Sequence, residues 1–271
     1  MSLGRPPLVV EPDELEAVLG DENILIVDLS QAQLHHQSHI PGAVHLDYTR
    51  ILRAAPPAMG LLPAAEQLNA LFSSLGLTQE THVVAYDNEG GGRASRLLWT
   101  LEAAGHPRFS LLNGGFTAWR DEGRPTEKGL AALVTRPYSV RMKDAVIADR
   151  NYILTHLHDP ATCLVDCRSP AEYAGQNLRA RRGGHIPGAV NIEWTRALDP
   201  QRHMRLKTAD ALAALYQQAG VTPDKHVITY CQTHHRSALS YIALKSLGYQ
   251  VRGYPGSWSE WGNDPDTPVE S

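Results

Sequence analysis

Residues 39–44 read His39-Ile40-Pro41-Gly42-Ala43-Val44, and residues 185–190 read His185-Ile186-Pro187-Gly188-Ala189-Val190, the same six in the same order. Self-similarity at a long period is the mark of a duplicated unit. Working outward, three more matches keep step with it. Upstream, an apolar run ends in Val-Asp twice, at Ile24–Asp28 and at Leu164–Asp166. Downstream, His82-Val83-Val84-Ala85-Tyr86 matches His226-Val227-Ile228-Thr229-Tyr230. Further on, Gly114-Gly115-Phe116 with Trp119 matches Gly256-Ser257-Trp258 with Trp261. The separations stay between 138 and 146 residues, so order and spacing hold over the whole unit.

Within each copy, short β-branched runs alternate with longer amphipathic stretches. Val227-Ile228-Thr229-Tyr230 reads as a strand; after it Leu239, Ile242, Ala243 and Leu247 recur at helical spacing and Gly248 supplies a stop. Alternation of this kind predicts an α/β fold, a mainly parallel sheet flanked by helices, built twice in tandem. The stretch from Glu127 lacks clean periodicity and meets Pro137. The expected division is a first domain over 1–126, a linker over 127–139 and a second domain over 140–271.

Composition narrows the field. The chain of 271 residues is comfortable for two domains of about 130 residues each. Hydrophobic residues make up 42% and charged residues 20%, the balance of a globular protein. A net charge of −4 gives no general attraction for nucleic acid or an acidic membrane, so neither is an expected partner. No run approaches the roughly 20 apolar residues of a membrane span, and the first ten residues do not read as a signal peptide. A cytoplasmic location follows as the expectation. Three cysteines, Cys163, Cys167 and Cys231, do not make a disulfide framework. Cys163 and Cys167 have no second ligand pair at zinc spacing, so no metal is expected. Cys163 reads as a buried strand residue, and Cys167 as a strand-end thiol that could approach Cys231.

A duplicated sequence carries its own control: what both halves keep concerns the fold, and what one half alone has is a candidate for chemistry. The residue after each His-Val-x-x-Tyr strand is Asp87 in the first half and Cys231 in the second. Ligands of open α/β sheets bind beyond the carboxyl ends of strands. A short loop and then a helix follow Cys231, so backbone N–H groups and the positive end of the helix can converge on it. That environment favours the thiolate, and cysteines at helix N-termini titrate at about 3.5–7.5. The loop Cys231-Gln232-Thr233-His234-His235-Arg236-Ser237 holds one fixed cation and two histidines and no acid. Its counterpart, Asp87 to Arg93, has no nucleophile and carries two carboxylates, so the first half reads as catalytically silent.

With these residues in place, the chain resembles the tandem-domain rhodanese family, which includes thiosulfate and mercaptopyruvate sulfurtransferases. The resemblance spans nearly the whole chain. It rests on the two His-Ile-Pro-Gly-Ala segments and on Val251-Arg252-Gly253-Tyr254-Pro255-Gly256-Ser257-Trp258-Ser259-Glu260-Trp261, which is similar to the family's C-terminal signature. The Cys231 loop is most similar to those of bacterial thiosulfate sulfurtransferases with the same Gln-Thr-His-His-Arg run. It departs from the Arg-Lys-Gly-Val and Gly-Ser/Ala-Gly-Val runs that follow the cysteine in other members. A substrate-binding arginine common in tandem members, six residues after the Asp of domain two, is here Glu172. The aromatic four residues before the signature histidine is here His35 in one copy and Arg181 in the other.

The resemblance implies two rhodanese-like domains and a sulfur-transfer cycle. Cys231 takes sulfane sulfur from thiosulfate or a related donor and holds it as a persulfide. Cyanide, a small dithiol or a protein thiol then removes it. No cofactor is implied beyond that covalent sulfur. Gln232, Thr233, His234, His235, Arg236 and Ser237 would form the binding loop. Arg236 would stabilise donor and persulfide, and His234 and His235 would tune the loop charge. Asp166, Arg168, Arg182 and Trp258 are second-rank candidates around it. Asp28 and Asp166, like His39 and His185, occur in both copies and are expected to be structural, and Arg168 is expected to pair with Asp166 or Glu172. Arg179, Arg181 and Arg182 sit in an insertion of the second copy and could draw in anionic donors in place of the missing arginine. Alternatives are a 3-mercaptopyruvate sulfurtransferase and a cysteine-dependent phosphatase of the same fold. The phosphatase motif is C-x5-R, whereas Cys231 and Arg236 give C-x4-R. A monomer is expected, because the duplication already supplies two domains.

Overall fold

The computed structural model describes residues 6–129 and 134–271. Residues 1–5 of the expected first domain and 130–133 of the expected linker lie outside the described residues. The chain gathers into two compact units. Unit 1 takes the chain up to Ile51, Pro63–Lys143 and Asp199–Leu206; unit 2 takes Leu52–Leu62, Asp144–Leu198 and Lys207–Ser271. Each half of the sequence therefore lends a short segment to the other unit, a feature that continuous spans of 1–126 and 140–271 do not contain.

In chain order the strands are β1 (Val9–Val10), β2 (Ile24–Asp28), β3 (Val44–His45), β4 (Arg53–Ala55), β5 (Ala58–Leu61), β6 (His82–Tyr86), β7 (Phe109–Leu112), β8 (Thr162–Asp166), β9 (Val190–Asn191), β10 (Leu198–Asp199), β11 (Arg205–Leu206), β12 (His226–Tyr230) and β13 (Gln250–Gly253). Unit 1 has a parallel sheet in the order β1-β7-β6-β2-β3, and unit 2 one in the order β13-β12-β8-β9. Strands β4 and β5 form an antiparallel hairpin, and β10 pairs with β11. The α/β architecture of two parallel sheets flanked by helices is the one the alternating runs predict.

The duplication is visible down to the register. Strand β2 pairs with β6 from Ile24↔His82 to Asp28↔Tyr86, and β8 pairs with β12 from Thr162↔His226 to Asp166↔Tyr230. Helices Gly92–Ala103 and Arg236–Ser246 follow the central strands and are buried along most of their length. This is why β6 is apolar on both faces, as parallel strands covered on both sides are. One core gathers Ile26, Val84, Tyr86, Leu112 and Trp119; the other gathers Leu164, Ile228, Tyr230, Trp258 and Trp261.

The repeated six-residue segments are structural. Ile40 N donates to Tyr86 Oη at 3.2 Å, and Ile186 N to Tyr230 Oη at 3.1 Å. Gly42 N donates to Glu127 and Gly188 N to Glu270, at 2.7 and 2.9 Å. His39 and His185 donate Nδ1–H to the carbonyls of His35 and Tyr173. In unit 2 the ring stacked on His185 is Tyr173, at 3.6 Å between centroids, and not the side chain at position 181. Position 181, four residues before His185, does not supply that ring, because the insertion loops out and closes on itself, with Gly175 packed against Gly183 and Gly184.

Candidate active site

Cys231 sits at the carboxyl end of β12, one residue beyond the strand, and the Arg236–Ser246 helix begins after a four-residue loop. The loop closes through His234, whose φ of 55° lies in the left-handed region. Gly90 takes the same step in unit 1 with φ 87°. A non-glycine there is sparsely populated and costs of order 1–3 kcal/mol, so the surroundings must hold it. They do: His234 is fully buried, and its Nδ1 lies 2.8 Å from Ser237 Oγ.

The Cys231 side chain is 1% exposed. Burial pushes the thiol pKa up. The Arg236 guanidinium, the Ser237 hydroxyl and the backbone N–H groups of Ser237 and Thr233 outweigh burial and bring it below the ordinary thiol value. A hydrogen-bonded chain runs from His234 Nδ1–H to Ser237 Oγ, whose own hydrogen is then directed at the sulfur. Donors from Thr233, Arg236 and Ser237 thus act on the buried thiol.

Unit 1 displays the same cradle with an anion in it. The Asp87 carboxylate accepts from Glu89 N and Gly91 N at 2.8 Å each and from Ala94 N at 2.9 Å. The loop that follows a central strand thus collects backbone N–H groups around one side chain in both copies: a carboxylate at position 87, a thiol of lowered pKa at position 231.

The C-terminal signature fastens the cradle from behind. Cys231 N donates to Ser257 Oγ at 3.3 Å, Trp258 N to Cys231 O at 2.9 Å and Ser259 N to Gln232 O at 3.0 Å. From the front comes hairpin β4–β5, whose short strands carry no alternating pattern in the sequence. Met59 N donates to Ser259 Oγ at 3.2 Å. A Cβ on Gly60 would stand 2.3 Å from Thr233 O and 2.8 Å from Pro255 O. Only a residue without a side chain lets the hairpin lie this close to the loop. A lone glycine some 170 residues from Cys231 carried no sequence signal for that contact.

Arg236 does not stand alone. Its NH1 and NH2 donate to Glu172 Oε2 and Oε1 at 2.6 and 2.9 Å, a two-pronged pair. Glu172 is 4% exposed; burial raises its pKa, but Arg236 and the Ser169 backbone and hydroxyl donors bring it down to about 2. Glu172 therefore acts as the counter-charge that aims Arg236. The sequence flagged this position as lacking an arginine without indicating what the acid would hold.

The remaining candidates fall around the loop in distinct places. Arg168 is buried on Asp166, donating from Nε at 3.0 Å and from NH2 at 2.5 Å, and also donates to Gly184 O at 2.7 Å. It lies over the Trp258 ring at 4.4 Å. Asp166, Arg168 and Trp258 thus form a buried stack at the carboxyl end of the sheet, where Asp166 pairs with Tyr230. Arg182 spends its guanidinium on Thr267 O, Trp261 O and Thr267 Oγ1, at 2.6, 2.8 and 2.5 Å, and on Asp264 O. It fastens the C-terminal segment. Arg179 and Arg181 are exposed; the insertion touches the loop through Arg179 O, which accepts from Gln232 Nε2 at 3.0 Å. His235 is half-buried, its ring 6.4 Å from that of Trp194. Cys167 is the strand-end neighbour of Cys231 and lies buried. Burial pushes its thiol well up, and the adjacent Cys231 and Asp166 add to this. Among the described residues no group of three His, Cys, Asp or Glu side chains is placed to hold a metal ion, and no helix is long and apolar enough to cross a membrane.

This geometry has close relatives. The chain is 48% identical to the thiosulfate sulfurtransferase of Azotobacter vinelandii, with 97% of each chain covered. It is 46% identical, at the same coverage, to that of Pseudomonas aeruginosa. The crystal structure of SseA from Escherichia coli, described as showing the rhodanese fold and catalytic mechanism of 3-mercaptopyruvate sulfotransferases, superposes with a TM-score of 0.84 at 28% identity. The match covers 93% of this chain and 99% of that one. The family model of the rhodanese-like domain matches twice, over residues 11–122 and 149–264. With both halves matched, and with two sheets whose central strands pair in equal register, the chain belongs to the rhodanese-like domain family.

Proposed function

We propose that the protein is a thiosulfate sulfurtransferase that carries sulfur as a persulfide on Cys231. The observation that supports this most directly is the buried sulfur at a helix N-terminus, ringed by Thr233 N, Ser237 N and Oγ and the Arg236 guanidinium, with its pKa brought down. The Cys231 thiolate attacks the outer sulfur of thiosulfate. The donor's S–S bond breaks, and its electron pair leaves with sulfite. The terminal sulfur of the new persulfide is anionic, so the donors that hold the thiolate also hold the product of this half-reaction. A nucleophilic acceptor then takes that sulfur and returns the thiolate. Cyanide gives thiocyanate, and a dithiol or a protein thiol serves in the cell. A covalent intermediate of this kind gives ping-pong kinetics. The lowered thiol pKa favours the thiolate, so this reading assigns no general base and no cofactor beyond the carried sulfur.

The first domain, 1–126, is catalytically silent because its cradle holds Asp87. The second, 140–271, carries the chemistry, and the linker is 127–139. The chain acts as a cytoplasmic monomer. The rival donor is 3-mercaptopyruvate, and the rival chemistry is phosphate-ester hydrolysis. The spacing of Cys231 and Arg236, C-x4-R against the C-x5-R of the phosphatase motif, speaks against the latter, since one residue fewer makes a smaller ring, suited to a single sulfur. The deciding experiment is intact-protein mass spectrometry after exposure to thiosulfate. The expected result is a gain of one sulfur atom on Cys231, absent in Cys231→Ala. Equal activity of Cys231→Ala in thiocyanate formation ends this mechanism. Turnover of 3-mercaptopyruvate but not thiosulfate moves the assignment to that donor.

A further inference from the structure

Unit 1 has no nucleophile in its loop, yet the carboxyl end of its sheet is not sealed. Three buried polar atoms there, Ser30 Oγ, His35 Nε2 and Asn88 Oδ1, have no hydrogen-bond partner among the described residues. The three residues line one cavity of about 220 Å³ together with Asp28, Phe116 and Arg120. Buried polar atoms without partners are rare, and each asks for an explanation. Three around one cavity point to something that binds in it.

The chemistry of the wall selects the occupant. His35 is 1% exposed and its Nδ1 lies 2.9 Å from Asp28 Oδ2. With Nδ1–H committed to the carboxylate, Nε2 of the neutral ring is an acceptor. Asn88 Oδ1 is an acceptor, and the Asp28 oxygens keep lone pairs free. Phe116 adds an aromatic wall. Arg120 stands at the rim, 61% exposed in its side chain, and turns to Asp121 at 2.8 Å. The cavity therefore asks for a compact donor-rich cation with a flat face.

The sister unit holds such a group in place. Arg168 N donates to Asp166 Oδ1 at 2.9 Å, and Ser30 N donates to Asp28 Oδ1 at 2.8 Å, so the two residues are equivalent. Trp258 N donates to Cys231 O at 2.9 Å, and Phe116 N to Asp87 O at 3.0 Å, so these rings are equivalent too. Unit 2 thus seats its own guanidinium between a carboxylate and an indole. At the same position unit 1 has a serine and a cavity. We propose that the unit 1 cavity binds a small molecule bearing a guanidinium or amidinium group, with its N–H donors on Asp28, His35 and Asn88 and its plane against Phe116.

The test is an NMR titration of the full chain with methylguanidinium, with methylammonium as the control cation of equal charge. The expected result is saturable shifts of the Ser30, Asn88 and Phe116 amides with methylguanidinium alone. Ser30→Arg supplies the guanidinium from the chain itself, and affinity should fall by about tenfold or more, as loss of a charge-assisted contact implies. Should that variant fail to fold, Phe116→Ala removes the stacking wall and should weaken binding by about fivefold. Dispersed unit 1 amide signals in the ligand-free variants report folding, and thiosulfate turnover by unit 2 stays at the wild-type level in both. A cavity filled by water alone gives no saturable shift, and that result overturns the proposal. So does equal binding of methylammonium, or binding that neither substitution weakens.

Discussion

Replacing Glu172 with Gln removes the counter-charge of Arg236 while keeping the shape of the side chain and one acceptor oxygen. The carboxyl is held at about 2, against an ordinary value of 4.5. At 1.36 kcal/mol per pKa unit, that displacement corresponds to roughly 3 kcal/mol of preference for the charged form in the folded chain. The variant should therefore lose about 3 kcal/mol of stability near neutral pH, in line with the breaking of a buried pair. The sign with pH follows from the depressed carboxylate. Its contribution is full above the ordinary value of 4.5 and fades as pH falls towards 2. Wild type and variant should converge in denaturation midpoint over that interval. A second consequence reaches the sulfur. With Glu172 neutral, the Arg236 charge acts unopposed on Cys231, and the thiol pKa should fall further. The KM for thiosulfate, a dianion, should fall with it. The assays are denaturant unfolding at a series of pH values and the pH dependence of iodoacetamide alkylation. Unchanged stability at neutral pH together with an unchanged or higher thiol pKa would refute the view that Glu172 balances and aims Arg236.

Further outcomes follow from the same contacts. In the native protein, alkylation near neutral pH should label Cys231 before Cys163 and Cys167, whose thiols burial pushes up. The rate should climb through a midpoint below the ordinary thiol value, as peptide mapping of the labelled sites across pH will report. Asp87→Ala strips the acceptor from three N–H groups, two of them buried, and should cost unit 1 about 2 kcal/mol in denaturant titration, with thiosulfate turnover retained when folding is complete. Gly60→Ala should displace hairpin β4–β5 from the Cys231 loop, because its Cβ meets backbone oxygens that cannot swing away. Steady-state kinetics should then show reduced kcat/KM.

Much of this was legible in the order of residues. The twin His-Ile-Pro-Gly-Ala-Val segments announced a duplicated α/β unit, because backbone turns and buried parallel strands place strict local demands on residue type. The contrast of Asp87 with Cys231 marked the candidate site, since one copy places a carboxylate and the other a thiol directly after equivalent strands. Arg168 was expected on an acid two residues away or at Glu172, and it is found on Asp166.

Other features arise from contacts between distant segments, which local periodicity does not record. The closure of hairpin β4–β5 over Thr233, the commitment of Arg182 to the carbonyls of the C-terminal segment and the stacking of Tyr173 in place of position 181 are of this kind. So is the balance at Arg236. A loop without acids read as a cationic site, yet folding brings Glu172 from 64 residues away onto its guanidinium. Burial makes such a pair decisive, because a charge removed from water must find its partner through space, wherever along the chain that partner lies.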